Sequence, residues 1–287
     1  MSLENSLSTR AVGARSSAAP WSEDPLTARA RAVWTAGNFL PIAKSFAGGA
    51  EEFIARLVLR PGESVLDVAC GTGNIAIPAA RAGARVTGID IAPNLIADAR
   101  LEARSRGLRV AFEVGDAEAL PYGDGQFDTT VTMFGAMFAY RPERAASELL
   151  RVTRSGGRVA MANWMPTGVI GRMVAAHAAV APLPVGVPSP LQWGREEVVT
   201  ERFGHRVRSV VWARRTLELR FPFSPAAVTE LFATSYGPTV MALRATDPDG
   251  SSWFRTELTR LFQEHNLASD GTTLIAGDYL EVQARVA

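Results

Sequence analysis

From Ser64 onward the apolar positions come in short runs, at 64–68, 85–89, 110–114, 127–134 and 158–163, separated by stretches of helical spacing at 75–82, 93–106 and 142–153. Runs of that length are strands, and their alternation with helices predicts a parallel sheet covered on both faces. Upstream, Asp24-Pro25 pairs a capping acid with proline at the first helical position. A helix is therefore expected to about Ala36, where Gly37-Asn38 breaks it. A second helix over 49–59 sets Phe53, Ile54, Leu57 and Val58 on one side and ends at Arg60-Pro61-Gly62. Past a Pro-rich stretch at 181–190, Leu217, Leu219 and Phe221 alternate with Thr216, Glu218 and Arg220, which predicts a strand buried on one face. Ser224-Pro225 then opens a helix carrying Val228, Leu231 and Phe232, and a last strand is expected over 279–286. Residues 1–23 are small and polar without periodicity, and are read as a flexible tail.

Composition narrows the function classes. A chain that is 47% hydrophobic and 21% charged has the make-up of a globular protein. The single cysteine, Cys70, excludes an intrachain disulfide and a multi-cysteine zinc site, and suits a reducing, cytoplasmic setting. Thirty Lys and Arg against 29 Asp and Glu leave a net charge of +1, without the long-range field of a nucleic-acid binder, so no nucleic-acid partner is expected. No run of eighteen apolar residues and no apolar leader segment stand in the sequence, so neither membrane insertion nor export is expected.

The strongest chemical signal is Val65-Leu-Asp-Val-Ala-Cys-Gly-Thr-Gly73, a hydrophobic strand running into Gly-x-Gly and then a helix. Glycines there permit a sharp turn and close approach to a ligand, and the helix start offers unpaired N–H groups. Asp90 ends the next strand nineteen residues after Gly71, where a carboxylate accepts from two ribose hydroxyls. A dinucleotide site shares these features, but Asp67, at the carboxyl end of the first strand, would repel a pyrophosphate and favour the ammonium of an amino acid. Asp116, ending the third strand, is placed to accept from an adenine amino group.

With Val65–Gly73, Asp90, Gly115-Asp116-Ala117 and Glu148-Leu-Leu-Arg-Val-Thr-Arg-Ser-Gly-Gly157, the chain resembles the class I S-adenosylmethionine-dependent methyltransferases, and most the small-molecule group related to the ubiquinone and menaquinone methyltransferases. Ser155 departs from the pattern, which more often has proline before the paired glycines. The resemblance implies a Rossmann-like doubly wound α/β fold with a seven-stranded sheet whose last strand is antiparallel. It implies that Gly71 and Gly73 line the methionine part of the cofactor, with Asp67 supporting the amino group or the loop and Ala69 and Thr72 also among the cofactor-binding residues. Asp90 would hold the ribose, Ile91 would pack on the adenine, Asp116 and Ala117 would bond its edge, and Phe134 would lie beside the methionine end. The expected organisation is a helical lid over 24–60 and a methyltransferase domain over 61–287, with its cofactor core at 61–165 and substrate-side insertions at about 166–206 and 222–277.

Around this core several residues carry two readings. Asp67 either meets the ligand or ties down its own loop. Cys70 reads as a small buried filler, and Asp128, at the start of a strand, as a structural cap. Arg100, Arg104 and Arg106 read as a solvated helix face. Met133, Phe138, Trp164, Trp193 and Tyr236 are substrate-side candidates or plain core, and so is Met137. His177 is the candidate base, set against an ordinary helix residue. Trp34, Gly37, Asn38 and Phe39 form either a lid over the adenosyl group or an anchor for the N-terminal helices. No metal is required, because the methyl group arrives activated on a sulfonium and leaves S-adenosylhomocysteine. The expected acceptor is an O, N, C or S nucleophile on a small, partly apolar metabolite. The competing readings are an NAD-dependent oxidoreductase and a noncatalytic S-adenosylmethionine-binding protein.

Overall fold

The central strands of this protein are apolar because they are buried on both faces, as a parallel sheet requires. The computed structural model describes residues 24–287; the expected tail at 1–23 lies outside the described residues. Three helices come first, α1 (Pro25–Thr35), α2 (Leu40–Ser45) and α3 (Ala47–Leu57). Asp24 caps α1 by accepting from the N–H groups of Leu26 at 3.0 Å and Thr27 at 3.2 Å. The sequence pattern did not anticipate α2, a helix too short to show a period. It starts where the Asn38 side chain accepts from the Leu40 N–H at 3.2 Å.

The core then runs β1 (Ser64–Val68), α4 (Ala76–Arg81), β2 (Arg85–Asp90), α5 (Pro93–Ser105), β3 (Ala111–Val114), β4 (Phe127–Met133), α6 (Pro142–Val152) and β5 (Thr153–Trp164). The remainder is α7 (Gly168–Val180), α8 (Glu196–Phe203), β6 (Val207–Phe221), α9 (Pro225–Ser235), α10 (Gly237–Ala245), α11 (Pro248–Glu264) and β7 (Thr273–Val286). One seven-stranded sheet forms in the order β3-β2-β1-β4-β5-β7-β6. Strands β1 to β5 are parallel, and the last strand, β7, runs antiparallel to both neighbours. Successive connections leave β1 toward β2 on one side and reach β4 on the other. The carboxyl ends of β1 and β4 therefore flank the switch point at which doubly wound sheets bind ligands.

Three strands are longer than their hydrophobic pattern suggests, β5, β6 and β7, the last starting at Thr273 instead of 279. β5 begins at Thr153, before the Ser155-Gly156-Gly157 segment, which forms a register shift between the Phe127↔Thr153 and Thr129↔Arg158 pairs instead of a turn. β6 spans 15 residues, but only its last five alternate cleanly between exposed and buried. Its first half is the outer edge of the sheet, held by backbone pairing to β7 with side chains largely in solvent, so no apolar period marks it. Asp128, at the amino end of β4, accepts from the Ser64 N–H at 2.9 Å and pairs with Arg154 at 2.7 Å, the structural role expected of it.

Candidate active site at the carboxyl edge of the sheet

At the end of β1 the chain turns through three residues of positive φ, Ala69 (55°), Gly71 (53°) and Gly73 (89°). Ala69 is a non-glycine residue in the left-handed region, a strained conformation that the surrounding bonds must enforce. They do: the Cys70 N–H donates to Ile89 O at 3.0 Å, and the Gly71 N–H donates to Asp90 Oδ2 at 2.8 Å. The other oxygen of Asp90 accepts from the Ala92 N–H at 2.9 Å, and Asp67 Oδ2 accepts from the Ala76 N–H at 2.9 Å. Both carboxylates are buried, and among the described residues neither has a Lys or Arg partner. Burial pushes both acids above the ordinary Asp range, and for Asp67 the nearby Asp90 charge adds to the rise. In the same loop the buried hydroxyl of Thr72 has no hydrogen-bond partner among the described residues.

Further along the edge, Asp116 accepts from the Glu118 N–H at 2.9 Å and from the Thr27 hydroxyl at 3.2 Å, so α1 reaches down onto the end of β3. Arg141 strengthens that junction, pairing with Asp24 at 2.6 Å and with Glu118 at 2.8 Å. Burial raises the Asp116 carboxyl as well.

The opposite end is aromatic. Phe134, just after β4, also has positive φ (57°), and its ring stacks on Trp164 at 3.6 Å between centroids. Gly135 permits this turn to lie against the β1 loop, since a Cβ there would stand 2.5 Å from the Ala69 carbonyl oxygen. Above them Trp34 meets Phe138, Tyr236 and Phe39 edge-on at 5.2, 5.9 and 6.4 Å. The acids and the aromatics line one cavity, partly open to solvent.

A methyltransferase domain model matches residues 65–157, the segment that carries the β1 loop, Asp90 and Asp116. An uncharacterized protein of Mycobacterium tuberculosis is 36% identical over 239 residues, covering 82% of this chain and 87% of its own length. The demethylmenaquinone methyltransferase of Thermus thermophilus is 42% identical over 104 residues, 36% of this chain and 47% of that protein. The crystal structure of a putative methyltransferase from Bacillus halodurans shares the fold with a TM-score of 0.55 at 18% identity, over 83% of this chain and 98% of that one. The chain belongs to the class I S-adenosylmethionine-dependent methyltransferases.

In this methyltransferase the cavity wall gathers Asp67, Ala69, Gly71, Thr72, Asp90, Ile91, Asp116, Ala117 and Phe134 from the expected cofactor side. From the expected substrate side and lid it gathers Met133, Phe138, Trp164, Tyr236, Trp34 and Phe39. Five residues stand elsewhere. Gly73 packs beneath the loop, where a Cβ would meet Ile77 and Phe112 at 3.2 Å, so its part is helix-to-sheet packing. Trp193 is fully buried beside Phe203 and under the Arg202 guanidinium at 4.5 Å, in a core layer away from the cavity. Gly37 and Asn38 form the break between α1 and α2, with the Gly37 carbonyl accepting from Asn94 at 3.0 Å.

His177 is the fifth. Its Nδ1 lies 2.7 Å from the Met173 carbonyl and its Nε2 2.7 Å from the Thr239 hydroxyl, so Nδ1–H donates and Nε2 accepts. The ring packs on Phe254 and Tyr236, and both nitrogens are spent on structure. Burial depresses its pKa from 6.5 to about 4. The unfolded chain therefore takes up this proton first, and stability present above pH 6.5 is lost as pH falls toward 4. The loss amounts to as much as about 3 kcal/mol. Urea unfolding of wild type and His177→Gln at pH 7 and 4.5 should show the variant losing less stability on acidification; parallel losses would refute the assignment.

The sequence reading missed Thr27, Phe46, Ile170, Met173 and Phe232, all in the wall. Leu219, also in the wall, lies on the strand face whose alternation was visible. The others carry no local signal. Cys70 does line the cavity, but burial raises its thiol, which leaves it the inert filler expected.

Proposed function

We propose that the protein binds S-adenosylmethionine at the acidic end of the cavity and transfers its methyl group to a small, largely apolar acceptor at the aromatic end. The observation that carries this reading is the pairing of Asp67 and Asp90, two desolvated carboxylates without a cationic protein partner, with an aromatic chamber in the same cavity. Buried carboxylates are normally paired or hydrogen-bonded, and an adenosyl amino acid would bring an ammonium toward Asp67 and ribose hydroxyls toward Asp90. A pyrophosphate would worsen the repulsion, which disfavours the NAD reading. The orphaned Thr72 hydroxyl also fits an amino-acid moiety, and Asp116 and Ala117 line the wall where an adenine edge would lie.

Bound S-adenosylmethionine supplies a methyl group already activated on a sulfonium. The chain's own share is to hold the two ligands in line and keep water out. Asp90 would hold the ribose, and the Gly71–Thr72 backbone the methionine part. Phe134 and Trp164 would set the wall between the two ligands. Trp34 and Phe39, placed over the cavity by α1 and α2, would form the roof.

The test is incubation of the protein with S-adenosylmethionine labelled in the methyl group and an organic-solvent extract of small molecules. Label should pass into an apolar product with formation of S-adenosylhomocysteine. Binding of S-adenosylhomocysteine without transfer to any fraction would leave a noncatalytic binding protein, and binding of NAD(H) alone would establish the oxidoreductase.

A further inference from the structure

We infer that Tyr236 is the positioning residue for the methyl acceptor, and that the acceptor is a flat apolar molecule bearing one acidic hydroxyl, a phenol or enol, methylated on that oxygen. This rests on the methyl-transfer reading above and adds the acceptor's chemistry to it.

The wall of the aromatic end is built from Phe39, Phe46, Phe134, Phe138 and Phe232 with aliphatic neighbours such as Ile170 and Met173. All four acids that line the cavity, Asp67, Asp90, Asp116 and Glu118, come from the β1, β2 and β3 ends, on the cofactor side. Of the other polar side chains in the wall, Thr27 bonds Asp116 and Thr72 and Asn74 follow the β1 loop, which leaves the aromatic end the indole N–H groups of Trp34 and Trp164 and the hydroxyl of Tyr236. An indole only donates. Tyr236 is 7% exposed, and its hydroxyl has no hydrogen-bond partner among the described residues. A rigidly held hydroxyl without a protein partner, on the wall of a largely apolar chamber, is placed to meet a polar atom of a ligand. Its ring is fixed by Trp34, Phe39, Phe232 and His177, with centroids 5.4–6.1 Å away, so the hydroxyl is held in place before the ligand arrives.

Burial raises the Tyr236 phenol above its usual range, which keeps it a neutral donor and no base. His177, the nearest imidazole, is occupied on both nitrogens. Two indole N–H groups and a neutral phenol, with no basic side chain beside them, match an oxygen better than an amine, which would bring further donors. The acceptor's hydroxyl accordingly gives up its proton to bulk water before it enters. A lone pair of the resulting oxyanion forms the O–CH₃ bond as the S–CH₃ bond breaks, and the bonding pair stays on sulfur. A cation and an anion become two neutral products, a charge annihilation that apolar walls favour. A flat, aromatic acceptor suits a wall made chiefly of rings.

The probes are 4-phenylphenol, biphenyl and 4-aminobiphenyl, with affinity measured on the protein saturated with S-adenosylhomocysteine. Wild type should bind 4-phenylphenol about tenfold or more tighter than Tyr236→Phe does, the worth of one buried hydrogen bond, while biphenyl binds both within about twofold. A merely structural tyrosine would change both probes alike. Equal affinity of the two proteins for 4-phenylphenol, no binding of it to wild type, or tighter binding of 4-aminobiphenyl would overturn the inference. Failure of wild type to bind S-adenosylhomocysteine would instead bring down the methyl-transfer reading beneath it.

Discussion

Replacement of Asp90 by alanine is expected to weaken S-adenosylhomocysteine binding by about tenfold or more, because two ribose hydrogen bonds worth about 1.5–3 kcal/mol together are lost. Its place in the structure makes the effect larger. The same carboxylate accepts from the Gly71 and Ala92 N–H groups, so it also holds the β1 loop in the turn that the positive φ of Ala69 requires. Asp90→Asn keeps the volume and one accepting oxygen, and should fall between wild type and alanine. Calorimetry on the three proteins decides the matter, and an unchanged affinity in Asp90→Ala would remove this residue from the site.

The second large effect concerns the roof. Gly37 and Gly237 let the break after α1 lie backbone to backbone against the junction of α9 and α10. A Cβ on Gly237 would stand 2.1 Å from the Val33 carbonyl oxygen, and one on Gly37 would stand 2.2 Å from the Ser235 carbonyl oxygen. Neither backbone can yield as a flexible side chain would. Gly237→Ala should therefore push α1 away from α10 at a cost of about 1–3 kcal/mol, the usual penalty of overpacking. Trp34 would be displaced from Tyr236 with it. In wild type, bound S-adenosylhomocysteine should slow tryptic cleavage at Arg29, Arg31 and Lys44 far more than cleavage in the 222–277 segment. In Gly237→Ala that selective protection should vanish. Equal protection of both segments in wild type would leave Trp34 and Phe39 with the anchoring role alone.

The two ends of the site are built differently. The contacts of Asp90 lie within one strand-loop-helix-strand unit, and a spacing of nineteen residues is enough to announce them. The contacts that α1 and the C-terminal helices bring around the cavity come from no such unit. Thr27 meets Asp116 across 89 residues of chain, and His177 meets Thr239 across 62. The α7 segment and the 222–277 segment approach each other only because β7 pairs between β5 and β6, a pairing made at the end of the chain.

The sequence by itself determined the doubly wound core, the Gly-x-Gly loop and the acids at the ends of β1, β2 and β3. These follow from period, backbone conformation and short-range spacing, which are local properties of the chain. Which aromatic residues face the ligand was decided by tertiary structure. Trp164 and Trp193 look alike in sequence, yet the first stacks on Phe134 in the cavity wall and the second lies fully buried against Phe203. Tyr236 and His177 were both candidates of similar standing, and packing left the hydroxyl of one unpartnered while it paired both nitrogens of the other. An aromatic or imidazole ring satisfies the hydrophobic pattern equally well on either side of a layer, so its role depends on what distant segments bring against it.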